Sequence, residues 1–213
     1  MSSLDKESAG IFIAFILLSA ILSAPHILAG NLSNIPKMAV FSFLILGISI
    51  LSRKIMASML DANAEHMLWH IKKYGLRQKD YFEKEVPAGI IVPILTAIIT
   101  LGSFPFLAFL TYEAGILRRR ASKRFGQYSY TEMTDWHNSL IGAAGIISLL
   151  ILAVMSYLLD YGILARISIL YALANMFPLS NLDGTQIFFG SRVLWATLAV
   201  TTLIFFAYSV VLI

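Results

Sequence analysis

The stretch from Gly10 to Gly30 contains no Asp, Glu, Lys or Arg. Roughly 20 such residues in a helix match the hydrocarbon thickness of a bilayer. Backbone at that depth must satisfy its own hydrogen bonds, which restricts a chain to helices or a closed barrel. Further apolar runs fall at about 37–51, 87–110, 139–159, 162–179 and 192–213. Together they predict an all-α polytopic membrane bundle of about six transmembrane helices. It reads as one integral membrane domain over 1–213, with a first helix in 1–36 and a core over 37–213. The second run is short before Arg53 and Lys54, yet its helical pattern continues through Met56, Met59 and Leu60. The start is mixed in charge (Asp5, Lys6, Glu7) rather than basic, so the first run reads as a retained helix and not a cleaved signal. The expected location is the cell membrane, multi-pass.

Composition supports this reading: 58% of residues are hydrophobic and 13% charged, where soluble domains run near a quarter charged. A pI of about 9.3 would suggest nucleic acid in a soluble chain. Here the basic residues gather beside apolar runs, where anionic lipid head groups are the counter-charge. One group is Arg53, Lys54, Lys72, Lys73, Arg77, Lys79 and Lys84 within 52–86. The other is Arg118, Arg119, Arg120, Lys123 and Arg124 within 111–138. The expected partners are the bilayer and a transmembrane protein, not nucleic acid. The two basic loops flank the third run and so fall on opposite sides, which leaves orientation open. Cysteine is absent, which excludes disulfides, thiolate metal sites and a cysteine nucleophile.

The most specific signal is Asn175-Met176-Phe177-Pro178-Leu179-Ser180-Asn181-Leu182-Asp183-Gly184, an N-x-x-P-x-x-x-L-D-G string inside an apolar region. Pro178 should break the fifth helix and free backbone carbonyls that must be satisfied within the protein. An aspartate at membrane depth needs a partner or a metal, so Asp183 is a candidate functional residue. The string, carried by Asn175, Pro178, Leu182, Asp183 and Gly184, resembles the C-terminal signature of the site-2 protease family, intramembrane zinc metalloproteases that cut transmembrane helices. Ile141-Gly142-Ala143-Ala144-Gly145 looks like that family's AGP helix start without its proline. Lys73-Tyr74-Gly75-Leu76 looks like the segment after its zinc helix, and Val86-Pro87-Ala88-Gly89 like its entry to the third span. The resemblance covers roughly 40–213. It implies a site-2-protease-like core in which Asp183 is the third zinc ligand, Asn175 and Pro178 shape the site, and an H-E-x-x-H supplies two histidines and the general base.

No H-E-x-x-H occurs in this chain. A gapless alignment on Lys73-Tyr74-Gly75 puts Asn63 and Met67 at the two histidine positions and Ala64 at the glutamate. Methionine is a poor zinc ligand among harder ones, and alanine has no proton to move. Three residues on, Glu65-His66-Met67-Leu68-Trp69-His70 holds two histidines four apart, one helix face if the segment is helical. With Asp183 they would form a two-His, one-Asp zinc site, with Glu65 the remaining candidate base. The bland reading makes His66 and His70 polar residues of an amphipathic helix near the membrane surface, beside Trp69. Cofactor expectations therefore run between none and zinc. His26 and His137 read as interface or core residues, and the Arg118–Arg124 cluster as a topology and head-group patch. Arg166 either snorkels to the surface or pairs with Asp160 or another acid. Three functions follow: a catalytically inactive pseudoprotease that binds or regulates a membrane partner; an active metalloprotease using His66, His70 and Asp183; or a structural subunit of a membrane complex.

Overall fold

A computed structural model describes residues 3–73, 81–116 and 133–212. Tyr74, Gly75, Leu76, Arg77, Lys79 and the basic residues from Arg118 to Arg124 lie outside the described residues. The protein is mostly helical. Its helices are α1 (Ser3–Leu28), α2 (Ile35–Met59), α3 (Ala88–Ile99), α4 (Asp135–Leu158), α5 (Gly162–Met176), α6 (Asp183–Gly190) and α7 (Arg192–Leu212). Among the described residues four strands accompany them: β1 (Ala62–Leu68), β2 (Ile71–Lys73), β3 (Tyr81–Val86) and β4 (Leu110–Ile116).

Among the described residues four helices, Lys6–Leu28, Leu32–Met59, Asp135–Leu158 and Arg192–Val211, are long and apolar enough to cross a membrane. They leave large apolar side chains exposed, among them Phe12, Phe43, Ile151 and Val200. Of the six expected spans these four are shown among the described residues. The run 87–110 yields only the 12 residues of α3. Leu101 and Gly102 then take positive φ values of 50° and 77° and turn the chain, which returns as β4. The run 162–179 yields the 15 residues of α5. It stops because Phe177, held extended before Pro178 at φ −64° and ψ 134°, cannot continue the helix. At 1.5 Å per residue these two helices reach only about 18 and 22 Å, short of a core of about 30 Å.

The expectation of an all-helical chain is corrected. β1 pairs antiparallel with β4, His66 opposite Tyr112 and Glu65 opposite Glu113. β2 pairs antiparallel with β3. Where a helix is foreseen around His66 and His70, His66 lies on strand β1, in which side chains alternate between faces every second residue, and His70 lies just past its end. Ala62, Ala64 and His66 point inward, while Asn63 and Met67 are exposed.

α4 is the hub, packing on α2, α5 and α6. Of its apolar window 56% is buried, against 17% for α7, which places α4 inside and α7 at the rim. Thr134 caps its start by accepting from the His137 backbone N–H at 3.3 Å. α2 begins with Pro36 in its first turn, where a fixed φ is already helical. Past Pro178 the chain turns through Ser180 (φ 48°) and restarts as α6 on Asp183.

Candidate functional site

Asp183, the first residue of α6, meets Arg53 from the last two turns of α2. The Arg53 Nη2 donates to Asp183 Oδ2, and both side chains are 0% exposed. The two residues stand 130 positions apart in sequence. A buried guanidinium and carboxylate hold their charges only as a pair, because either alone lacks solvation.

Glycines make room for this pair. A Cβ on Gly145 of α4 would lie 2.6 Å from Arg53 Nε, and one on Gly142 would lie 2.9 Å from the Tyr112 hydroxyl. The glycines of the Ile141–Gly145 segment thus admit a cation and a phenol against α4. The Tyr112 ring from β4 stands 5.8 Å from the Arg53 carbon Cζ, within cation–π range. Its hydroxyl donates to Asn138 O at 2.6 Å, and burial, reinforced by the charge of Asp183, pushes the phenol well above its ordinary range. Gln186 of α6 donates to Tyr112 O at 3.0 Å, fastening the strand to the helix that carries Asp183.

At the break before Asp183 one freed carbonyl is satisfied from within the protein. The carbonyl of Met176, at the end of α5, accepts from Trp195 Nε1 at 3.2 Å. Any Cβ on Gly184 would collide with that carbonyl, so a glycine is needed where α6 begins. Asn175 is fully buried and its Nδ2 donates to Tyr171 O at 2.8 Å, one turn back. The string Asn175 to Gly184 therefore builds a tight helix break that delivers Asp183 to Arg53.

A second polar cluster lies beside it. Glu7 of α1 accepts from Lys54 Nζ at 2.7 Å and from the His66 backbone N–H at 3.3 Å, with the His66 ring 3.4 Å away. Burial, with the positive charge of Arg53 next in weight, holds the His66 imidazole down to about 3, so it is neutral at pH 7. His70 follows the strand, half-buried, with Nδ1 at 2.7 Å from Leu68 O, an acceptor that makes this nitrogen the donor.

The structure does not gather the residues foreseen as zinc ligands. Among the described residues no three of His, Cys, Asp or Glu are placed to hold a metal together. Asp183 meets a guanidinium, His66 a carboxylate and His70 a carbonyl. Glu65 is half-buried on β1, and the motif positions Asn63, Ala64 and Met67 lie on that strand rather than on a helix facing Asp183. α2 reaches Asp183 through the Arg53 side chain, and α4 is the helix packed against α6.

Sequence reasoning named Arg53 only as a loop cation and gave Tyr112 no role. One signal was available: a buried aspartate demands a cation, and Arg53 continues the helical pattern of an apolar run. Compared with protein-family models, curated proteins and solved structures, the chain matches none. Fold and site together define a mostly helical protein with, among the described residues, four helices long and apolar enough to cross a membrane and a buried arginine–aspartate pair.

Proposed function

We propose that this is a multi-pass membrane protein on a site-2-protease-like core whose active site has been replaced, a pseudoprotease that holds a transmembrane partner without cutting it. The observation that carries the reading is the Arg53–Asp183 pair. The resemblance assigns Asp183 to a metal; here its carboxylate is engaged by a guanidinium that cannot lose its proton. Zinc and guanidinium are both cations, and their repulsion at bonding distance in a buried site disfavours sharing one carboxylate. Among the described residues the two candidate bases are otherwise placed: Glu7 is engaged by Lys54, and Glu65 sits on the strand opposite Glu113. Gripping a helix needs shape and packing rather than a base, so it can survive this exchange. The reading in which Asp183 pairs with a cation of another subunit has less support, because the chain supplies its own.

The test is zinc stoichiometry and proteolysis on tag-free protein in detergent, beside Asp183→Asn. Well under one zinc per chain and no cleavage of transmembrane substrates are expected. Near one zinc per chain in the wild type, lost in the variant, together with cleavage, overturns the proposal. A partner that copurifies in fixed stoichiometry and cannot be exchanged would instead make the protein a structural subunit.

A further inference from the structure

Some 15 residues before Arg53 along α2, about 22 Å at helical rise, the other end of the bundle holds a second basic side chain. Arg166, in the first turns of α5, makes no ion pair with any described residue. Its guanidinium carbon stands 5.1 Å from the centre of the Phe104 ring, which fixes its direction without neutralising it. Arg166 lines a cavity of about 300 Å³ with His26, Ser103 and apolar residues such as Met38 and Leu170. By bulk volume that is room for about ten waters, enough for a small polar head group.

A second hollow adjoins it. The groove between α1 and α3 has about 430 Å³ and is lined by Ala20, Ala24, Ile94, Ile98 and Leu101, with little polar surface. The two share Pro25 and Gly102 as a common wall. Gly102, at φ 77°, sits so close to Pro25 that a Cβ would fall 2.6 Å from the proline ring. One hollow is therefore lined by a cation, an imidazole and a hydroxyl, and the next almost wholly by hydrocarbon. That sequence of surfaces, at the end of apolar helices, matches the sequence of chemistry along an anionic phospholipid.

We propose that the Arg166 cavity and the α1–α3 groove together bind one anionic phospholipid. The phosphate lies against Arg166, His26 and Ser103, and an acyl chain lies along Ala20 and Ala24. This assignment is independent of the pseudoprotease reading.

The experiment is a native mass-spectrometric titration of delipidated protein in a neutral detergent. Its ligands are dioleoyl phosphatidylglycerol, dioleoyl phosphatidylcholine and glycerol 3-phosphate. One saturable phosphatidylglycerol site is expected, weakened about fivefold by Arg166→Gln, the scale of one basic residue against an anionic lipid, and largely kept by Arg166→Lys. Ala24→Phe, which fills the groove without touching the cation, should weaken the lipid and leave glycerol 3-phosphate unchanged. Equal binding of the two lipids, or no change in Arg166→Gln, overturns the proposal. Should Arg166→Gln fail to fold, Ala24→Phe decides by itself. Glycerol 3-phosphate binding as tightly as the lipid, with Ala24→Phe silent, overturns the lipid assignment in favour of a free phosphate ester.

Discussion

Removing either partner of the Arg53–Asp183 pair should destabilise the protein by different laws. Both side chains are fully buried, and Arg53 Nε and Nη1 have no hydrogen-bond partner among the described residues. Arg53→Met orphans the carboxylate, which can escape by taking up a proton. From an ordinary value near 3.9, that uptake costs about 1.4 kcal/mol per pH unit, so roughly 4 kcal/mol at pH 7 and about 1.5 kcal/mol at pH 5. Asp183→Asn orphans a guanidinium that cannot deprotonate, so its loss of about 3–5 kcal/mol should stay flat over the same range. The double variant, which buries no net charge, should recover most of the loss. The measurement is reversible unfolding in mixed micelles at pH 5, 6 and 7 for the wild type, both single variants and the double. Single variants within about 1 kcal/mol of wild type, or a double variant as unstable as the two losses summed, would refute the claim that the charges are held by each other.

Gly145→Ala should destabilise by about 1–3 kcal/mol through its collision with Arg53. Gly47→Ala, where a Cβ meets nothing within 4 Å, should be neutral or slightly stabilising from helix propensity; thermal unfolding compares the two. For His66 the folded value of about 3 lies below the ordinary 6.5, so the unfolded chain binds more protons between them. Stability is then full above pH 6.5 and falls by about 1.4 kcal/mol per unit below it, roughly 2 kcal/mol by pH 5. His66→Gln should flatten that slope, and a wild-type imidazole titrating near 6.5 by NMR would contradict the burial argument.

The parts of the fold that sequence revealed are those governed by local rules. Apolar runs located α1, α2, α4 and α7, and Pro178 located the end of α5, because length and proline sterics act on neighbours. The runs around α3 and α5 gave helices shorter than the runs themselves, because hydropathy does not register the turn at Leu101–Gly102 or the stop at Phe177. β1 was hidden by its own residues: a histidine points in and a methionine out, inverting the usual alternation. A sign of the helix ending was present in Asp61, a residue type that tolerates the left-handed conformation it adopts at φ 56°. The need of Asp183 for a partner was legible from the expense of a buried charge. Its partner was not, since no local pattern links positions 53 and 183.

Gly145 and the two charges also set the terms on which this centre can change over generations. A codon change at 53 or at 183 alone strands a charge inside the bundle, and a change at 145 to any larger residue evicts the guanidinium. Descendants of this chain therefore face a valley between the present arrangement and any other, crossed only by paired substitutions or in a background with stability to spare. Positions 53, 145 and 183 should be inherited as a block, and a relative that differs at one of them should differ at another.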